Sequence, residues 1–297
     1  MRIVVAGGTG FIGEPLVRRL VARGDDVTVL SRNPAKVKAG RGLAWDGKTQ
    51  GSWSDAVAKA DAVINLAGEG VADARWTAER KQRLVASRLD ATRALVEAMR
   101  REPSRRRVFL SASAIGLYGN RADEMLDENS TPGGGFLADL VRQWEEAARA
   151  AEPLARLVVV RIGIVLAKDG GALGKMLLPF RLGAGGPIGS GQQWMSWIDR
   201  DDVLRMIEWA LDNEAVRGVF NATAPEPVRN RDFARALGAA LHRPAVIPTP
   251  PFALRIAFGA MADEALLAGQ RVLPQRAAAE GFVFESRTID AALKRHL

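Results

Sequence analysis

The chain alternates short apolar runs rich in β-branched residues with longer stretches in which apolar residues recur at helical spacing. This alternation predicts parallel strands joined by crossover helices, and hence a doubly wound α/β sheet. The predicted helices are Glu14 to Arg23, Trp76 to Arg101 and Phe136 to Ala151. The predicted strands are Ile3 to Ala6, Val27 to Leu30, Ala62 to Leu66, Val108 to Ala112, Leu157 to Ile162 and Val219 to Ala222.

The alternation weakens after about residue 165, where breaker residues accumulate. Glycines gather in 183–191 and prolines in 244–251, and both interrupt regular structure. We therefore predict a sheet domain over 1–165 and a mixed, partly interleaved lobe over 166–243. Segments around 195–225 return to the sheet. A small C-terminal domain spans 244–297.

The composition excludes several kinds of site. Hydrophobic residues make up 47% of the 297 residues and charged residues 26%, which is typical of a globular protein. The chain has no cysteine, which excludes disulfides and thiolate ligands. Its two histidines, His242 and His296, are far apart in sequence, so we expect no metal site.

The hydropathy pattern bears on membranes and on targeting. The longest apolar run, 157–167, contains Arg161 and is shorter than the roughly 20 residues of a membrane-spanning helix. The first strand pattern begins directly after Met1, which leaves no room for a cleavable signal. We expect no membrane span and a cytoplasmic location.

The chain is basic, with a formal net charge of +8. Its basic residues are dispersed, apart from 100–101 and 105–107, which lie between a predicted helix and a predicted strand. Such runs are either solvated loops or phosphate-binding patches, and their position near a helix end favours the loop. We therefore expect no nucleic-acid partner.

A glycine-rich turn lies where the first predicted strand passes into the first helix. Gly7 allows the tight turn, Gly10 allows close approach of a pyrophosphate, and Gly13 allows the helix to pack on the sheet. This context predicts a Rossmann-type dinucleotide site, and the alternative is a tight turn without a ligand. The candidate cofactor-binding residues of the turn are Gly7, Thr9, Gly10, Phe11, Ile12 and Gly13.

The end of the second strand predicts which dinucleotide is bound. Ser31 and Arg32 stand where NAD-binding folds tend to carry an acid, and an arginine can pair with the 2′-phosphate of NADP. We therefore predict NADP(H). Lys36 is either a second cation for that phosphate or a solvated residue. Trp45 and Asp46 either border the adenine or form a surface turn.

Several motifs resemble the extended, sugar-nucleotide-epimerase-like members of the short-chain dehydrogenase/reductase superfamily, and the resemblance covers nearly the whole chain. It implies that Leu66, Ala67, Gly68 and Glu69 lie along the cofactor. Ser111 to Gly119 resembles the strand and loop of the catalytic serine. The other motifs are Gly7 to Gly13, Arg161 to Leu166, Trp197 to Val203 and Phe220 to Ala222.

The closest resemblance is to the atypical, YfcH-like branch of epimerase family proteins, whose reactions are largely unassigned. The C-terminal end of this chain resembles the small C-terminal domain of unknown function in that branch. The segments that carry the resemblance are 65–69, 75–77, 87–88, 136–138, 144–145, 272–276 and 281–282.

The resemblance implies a tyrosine four residues before a lysine on one helix, and this chain lacks that pair. Leu137 and Val141 occupy the two positions, or Phe136 and Leu140 after a slip of one residue. None of these side chains carries a proton.

The resemblance leaves Ser113 and Tyr118 as candidate catalytic residues. Ser113 is either a hydroxyl beside the nicotinamide or a serine that satisfies backbone groups at a strand end. Tyr118, the only tyrosine, is either an alternative acid or part of the cavity lining.

The remaining cofactor candidates are Arg88, Ser111, Ala112 and Arg161. Arg88 contacts the cofactor phosphates or an acidic substrate, or else bridges to Glu69 or Asp90.

These residues predict an NADP(H)-dependent oxidoreductase or epimerase-like enzyme for a small or sugar-like substrate. The alternative is a non-catalytic NADP(H) sensor or scaffold, because the tyrosine–lysine pair is missing. We expect a monomer or a homodimer with a small-molecule substrate.

Overall fold

The structure, a computed structural model, describes residues 1–297. The strands are β1 (Arg2–Ala6), β2 (Asp26–Ser31), β3 (Arg41–Ala44), β4 (Ala62–Asn65), β5 (Val108–Ala114), β6 (Met125–Leu126), β7 (Arg156–Ile162), β8 (Ile164–Ala167), β9 (Trp194–Met195), β10 (Trp197–Asp199), β11 (Gly218–Ala222), β12 (Val228–Arg229) and β13 (Arg271–Val272). The helices are α1 (Gly13–Ala22), α2 (Trp53–Ala58), α3 (Ala78–Met99), α4 (Phe136–Arg149), α5 (Gly171–Arg181), α6 (Arg200–Asp212), α7 (Asn230–Leu241), α8 (Pro251–Phe258), α9 (Gln275–Ala279) and α10 (Ile289–His296).

Seven parallel strands form the central sheet in the order β11-β7-β5-β4-β1-β2-β3. The chain starts at β1 in the middle, runs to the β3 edge, and then returns to β4 on the other side of β1. In such sheets this change of direction leaves a crevice at the carboxyl ends of the strands, where ligands bind. The predicted doubly wound Rossmann-type sheet is confirmed.

Both faces of the sheet are buried, which explains why its strands are almost continuously apolar. Side chains alternate across a strand, so Ile3 and Val5 join one core cluster with helix α1. Val4 and Ala6 join a second cluster with helices α2 and α3 on the opposite face. Burial of one such aliphatic side chain contributes about 1.5 to 3 kcal/mol.

The second half of the chain forms a smaller lobe with two two-stranded pairs, β8 with β10 and β9 with β12, and its strand β13 pairs with β6 from the first half. Helices α5, α7 and α10 share a separate core cluster that contains Trp197 and Phe233. Strand β11 returns to the central sheet beside β7. The C-terminal residues Phe282 and Phe284 pack into the main core cluster.

The observed elements differ from the predicted ones at their ends, and several observed elements, among them β3 and α2 of the sheet domain, were not predicted individually. Helix α3 starts at Ala78, two residues later than predicted, because the Thr77 side chain caps it by accepting a hydrogen bond from the Arg80 N–H at 3.1 Å. Strand β3 and the short helix α2 were not predicted. Strand β3 lies at the sheet edge and its residues are exposed or half-buried, which leaves no apolar run. No helix is long and apolar enough to cross a membrane.

Candidate functional site

The glycine turn between β1 and α1 has no room for side chains. Gly7 has φ +80°, and a Cβ there would lie 2.6 Å from the Leu66 carbonyl group. A Cβ on Gly13 would lie 2.2 Å from the Gly7 carbonyl oxygen. The turn is therefore held tightly against the loop after β4. The N-terminus of α1 has no side-chain cap, which leaves it available to an anion.

The turn opens onto a crevice of about 610 Å³ at the carboxyl ends of β1, β2 and β4, which we call the main crevice. Among the predicted cofactor residues, those that line it are Gly7, Thr9, Gly10, Ser31, Arg32, Leu66, Ala67, Gly68 and Glu69. The other lining residues are Leu30, Asn33, Lys36, Trp45, Asp46, Gly47, Lys48, Arg83, Ala86, Ser87, Asp90 and Ala91. The main crevice is thus the place where the turn, the end of β2 and the loop after β4 meet.

One end of the main crevice is cationic. Arg32, Lys36 and Lys48 are exposed there, and none has a carboxylate within 4.0 Å. The Ser31 hydroxyl shapes the turn under Arg32, since it donates to the Asn33 carbonyl and accepts from the Asn33 N–H, both at 3.1 Å. Sequence reasoning missed Lys48, which reaches the crevice from beyond β3.

Trp45 and Asp46 both line the main crevice. The Trp45 indole N–H is fully buried and has no hydrogen-bond partner, which is costly. The pKa of Asp46 is lowered to about 2, because the Thr49 side chain and the backbone N–H groups of Lys48 and Thr49 hydrogen-bond to its carboxylate. Asp46 is therefore an acceptor throughout the physiological range.

The loop after β4 is held in place by buried hydrogen bonds. The Asn65 side chain donates to Thr92 Oγ1 at 2.9 Å and accepts from the Ala67 N–H at 3.2 Å. The Glu69 carboxylate pairs with Arg80, and the Glu69 N–H donates to Ser87 Oγ at 3.1 Å. These bonds fix Leu66 to Glu69 as one wall of the main crevice.

The other predicted cofactor residues lie outside the lining. The Phe11 ring lies against Gly170 and Gly171 at the start of α5, with the Arg200 guanidinium 5.0 Å from its centre. Ile12 immediately precedes α1, and its side chain packs against the main core cluster. Ser111 and Ala112 are buried in strand β5.

Ser113 and Tyr118 belong to one buried polar network with Arg161. The Ser113 hydroxyl donates to Glu145 Oε1 at 2.6 Å. Arg161 binds the same carboxylate through Nε at 2.7 Å and Nη2 at 2.9 Å. Its Nη1 donates to the Tyr118 hydroxyl at 2.9 Å, and that hydroxyl lies 2.8 Å from Asn221 Oδ1.

The electrostatics of this network hold Arg161 and Tyr118 each in one charge state. Burial alone would lower the pKa of Arg161, but Glu145 and Tyr118 raise it well above its ordinary value. Burial also raises the pKa of Tyr118, against the lowering effect of Arg161. Tyr118 is therefore a neutral, fully buried phenol, and Arg161 is a permanent cation.

This placement bears on three predicted roles. The structure buries Ser113, Tyr118 and Arg161, and none of the three lines the main crevice. Their polar atoms are already bonded to one another or to Glu145. The structure gives each a part in joining β5, β7 and α4. Their catalytic and cofactor-binding roles stay predictions.

The face of α4 that would carry the tyrosine–lysine pair is apolar. Leu137 packs against Gly116, and Leu140 and Val141 are buried. The Leu137 N–H donates to Glu264 Oε2 at 3.0 Å, so a residue of the C-terminal segment caps this helix. No cluster of three or more His, Cys, Asp or Glu side chains is arranged to hold a metal ion.

Arg88 lies behind the Gly68 wall of the main crevice. A Cβ on Gly68 would be 3.1 Å from the Arg88 Cζ atom, so an alanine there would require the guanidinium to move by a few tenths of an ångström. Arg88 donates to the carbonyls of Leu84 at 3.1 Å and Glu69 at 2.9 Å, and lies 5.3 Å from the centre of the Trp144 ring.

Comparison with known proteins finds relatives that match nearly the whole chain. Human SDR39U1, an epimerase family protein, is 41% identical over 298 residues and covers 99% of each chain. The Arabidopsis thaliana homolog, described as chloroplastic, is 41% identical and covers 99% of this chain and 86% of its own. The cytoplasmic location therefore stays a prediction.

A crystal structure of human SDR39U1 (isoform 2) with NADPH matches this fold with a TM-score of 0.89 and 38% identity, covering 100% of this chain and 99% of that one. Residues 249–295 match a domain of unknown function, DUF1731. Residues 3–222 match the family described as NAD dependent epimerase/dehydratase. These matches confirm the resemblance read from the motifs, and the chain belongs to the NAD dependent epimerase/dehydratase family.

Proposed function

We propose that the main crevice binds NADP(H). The observation that carries the proposal is the set of unpaired cations Arg32, Lys36 and Lys48 beside the glycine turn. A 2′-phosphate is the group that distinguishes NADP from NAD, and a guanidinium pairs with it through charge-assisted hydrogen bonds.

A further feature fits a dinucleotide. The uncapped N-terminus of α1 and the bare backbone at Gly7 and Gly10 suit a pyrophosphate. The human relative whose structure contains NADPH supports the same cofactor.

Isothermal titration calorimetry with NADPH and NADH tests the proposal. We expect tighter binding of NADPH and, in Arg32→Glu, a loss of that preference. One charge-assisted pair contributes about 1.5 to 3 kcal/mol, which corresponds to about ten- to hundred-fold in affinity. Arg106→Glu is the control, because Arg106 is exposed near the amino end of β5, away from the main crevice. An unchanged NADPH/NADH ratio in Arg32→Glu refutes the assignment.

When bound, NADP(H) would supply a hydride, and the chain would need its own proton donor. Our first candidate function is therefore an NADP(H)-dependent oxidoreductase or epimerase-like enzyme that acts on a small or sugar-like substrate. It requires the Ser113 hydroxyl to leave Glu145 and reach a substrate, with Tyr118 or water as the source of the proton.

The second candidate function is an NADP(H)-binding sensor or scaffold without hydride transfer. It is favoured by the apolar α4 face and by the buried, bonded state of Ser113 and Tyr118. NADPH oxidation measured against carbonyl compounds and nucleotide sugars separates the two. Turnover that falls in Ser113→Ala or Tyr118→Phe, with NADPH affinity intact, supports the enzyme. Turnover that neither change affects excludes both residues as its catalytic groups.

A further inference from the structure

Arg88 is a largely buried cation without an anionic partner. No carboxylate lies within 4.0 Å of its guanidinium, and its only hydrogen bonds go to the carbonyls of Leu84 and Glu69. A guanidinium has five N–H donors, so most of those on Arg88 are unused. Burial, together with the nearby Arg80 cation, lowers the pKa of Arg88 to about 10. Arg88 is still charged at neutral pH.

Arg271 is half-buried without a carboxylate partner and lies over the Trp194 ring, 4.6 Å from its centre. Two further arginines, one buried and one half-buried, lack a carboxylate but have a structural explanation. Arg107 donates to the carbonyls of Val57, Glu102 and Arg105, and Arg156 donates to those of Ala210, Leu211 and Val216. Each thus satisfies carbonyls at or near the carboxyl end of a helix, where a cation is stabilising.

Arg88 has no such place. Its partner Leu84 lies inside helix α3, where the carbonyl already serves the helix backbone and accepts a bond from Ser87 Oγ at 3.2 Å. Beyond these carbonyls, the charge of Arg88 has one favourable contact, with the Trp144 ring, whose centre lies 5.3 Å away. A buried charge without an anionic partner, placed beside a crevice, is a mark of a ligand site.

The position of Arg88 defines what reaches it. Gly68, Glu69 and Ser87 line the main crevice, and the guanidinium lies directly behind Gly68. The Nε atom donates no hydrogen bond, yet it is not among the fully buried unpaired atoms, so it keeps contact with solvent. Arg88 itself is not a lining residue, so an anion in the crevice would reach it only past the bare backbone of Gly68.

We propose that Arg88 is an anion receptor of the main crevice, and that it binds a phosphate or carboxylate group of the molecule held there. The anion belongs either to the cofactor pyrophosphate or to an acidic second substrate. Both present oxygen acceptors that a guanidinium binds in pairs. The proposal rests on the proposed function, because it places the anion beside a bound dinucleotide.

Calorimetry on Arg88→Gln, Arg88→Lys and a matched control tests it. The control is Arg93→Gln, which removes an exposed, unpaired arginine from the same helix. The probes are NADPH, adenosine 2′,5′-bisphosphate, and malonate added to the NADPH complex. Adenosine 2′,5′-bisphosphate retains the 2′-phosphate but lacks the pyrophosphate linkage and the nicotinamide half.

The two sources of the anion give different results. If Arg88 binds the pyrophosphate, Arg88→Gln weakens NADPH about ten- to hundred-fold. Adenosine 2′,5′-bisphosphate keeps the adenosine-side phosphate, so its binding is weakened only if Arg88 meets that phosphate. If Arg88 binds an acidic substrate, NADPH binds as in the wild type and only malonate binding is lost. In both cases Arg88→Lys retains part of the affinity.

Arg88→Gln that binds all three probes like the wild type overturns the proposal. A wild-type chain that binds neither NADPH nor adenosine 2′,5′-bisphosphate refutes the proposed function instead. Malonate or inorganic phosphate titrated into the chain without cofactor then tests Arg88 alone, and equal binding by the wild type and Arg88→Gln overturns it. Thermal melting of each variant establishes that it is folded, and Arg88→Lys keeps the test valid if Arg88→Gln is not.

Discussion

Replacement of Glu145 by glutamine removes the negative charge from the buried network and leaves Arg161 uncompensated. The two side chains are only 3% and 7% exposed, and they share two hydrogen bonds of 2.7 and 2.9 Å. After the change, the Arg161 guanidinium still donates hydrogen bonds to the Tyr118 hydroxyl and the Glu128 carbonyl. Loss of one partner of a buried pair costs about 3 to 5 kcal/mol.

The expected change in melting temperature follows from the length of the chain. At about 2.1 cal/mol/K per residue, the unfolding entropy of a chain of this size is roughly 0.6 kcal/mol/K, so Glu145→Gln lowers Tm by about 5 to 8 °C. Circular dichroism melts measure the shift. Glu146→Gln is the control, because Glu146 is the next residue and is 74% exposed. Its expected change is within about 0.5 kcal/mol.

A second substitution distinguishes the stranded charge from a general loss of packing. In Glu145→Gln/Arg161→Met no charge is left buried, so this double variant should be more stable than Glu145→Gln alone. If the double variant melts lower than the single one by the full cost of a second lesion, or if Glu145→Gln melts like Glu146→Gln, the reasoning about the buried charge is refuted.

Three further outcomes are expected. Gly7→Ala places a Cβ 2.6 Å from the Leu66 carbonyl group at φ +80°, so it should cost about 1 to 3 kcal/mol and abolish NADPH binding; an unchanged melt and titration would contradict this. Gly68→Ala moves the Arg88 guanidinium by only a few tenths of an ångström, so in calorimetry it should weaken binding less than Arg88→Gln does, and a defect as large as that of Arg88→Gln would contradict this. The folded pKa of Tyr118 is raised, so its stabilising contribution is complete below the unfolded pKa of about 10 and is lost as pH rises through the folded value. Absorbance titration of this single tyrosine should show ionisation at higher pH in the native than in the urea-unfolded chain, and coincident curves would count against its burial.

Sequence reasoning found the features whose signals are local. Apart from β3, the strands of the sheet are continuous apolar runs, because both faces are covered, and each lies within two residues of its predicted bounds. The glycines of the first turn are recognisable because they lie within seven residues of one another, and Gly10 and Gly13 both face the Gly7 carbonyl oxygen. Arg32 was identifiable because the end of the second strand has a fixed relation to that turn.

What sequence reasoning missed depends on contacts between distant segments. Lys48, Arg83 and Asp90 reach the main crevice from beyond β3 and from helix α3, and nothing local distinguishes them from solvated residues. The choice of Glu145 as the partner of Ser113 spans 32 residues, and the cap that Glu264 provides for α4 spans 127. Such pairings become visible only when the chain is folded.

The structure also explains why the roles expected of Ser113 and Tyr118 were plausible from sequence. Both lie at the carboxyl end of β5, where a hydroxyl would face a ligand in many parallel sheets. The direction in which each side chain points depends on strand twist and on Arg161, and neither can be read from residue type. A residue can therefore occupy the expected place and still be turned into the interior.

The packing of the Phe282 and Phe284 rings limits where the chain can be truncated. They are in contact with each other and, through Phe282, with Trp209, and they belong to the same cluster as strand β1, whose residues are among the first in the chain. A truncation between the two matched families would thus remove Phe282 and Phe284 from the main core cluster and expose apolar side chains to solvent. The two family matches divide the sequence, but the residues of both segments share one hydrophobic core.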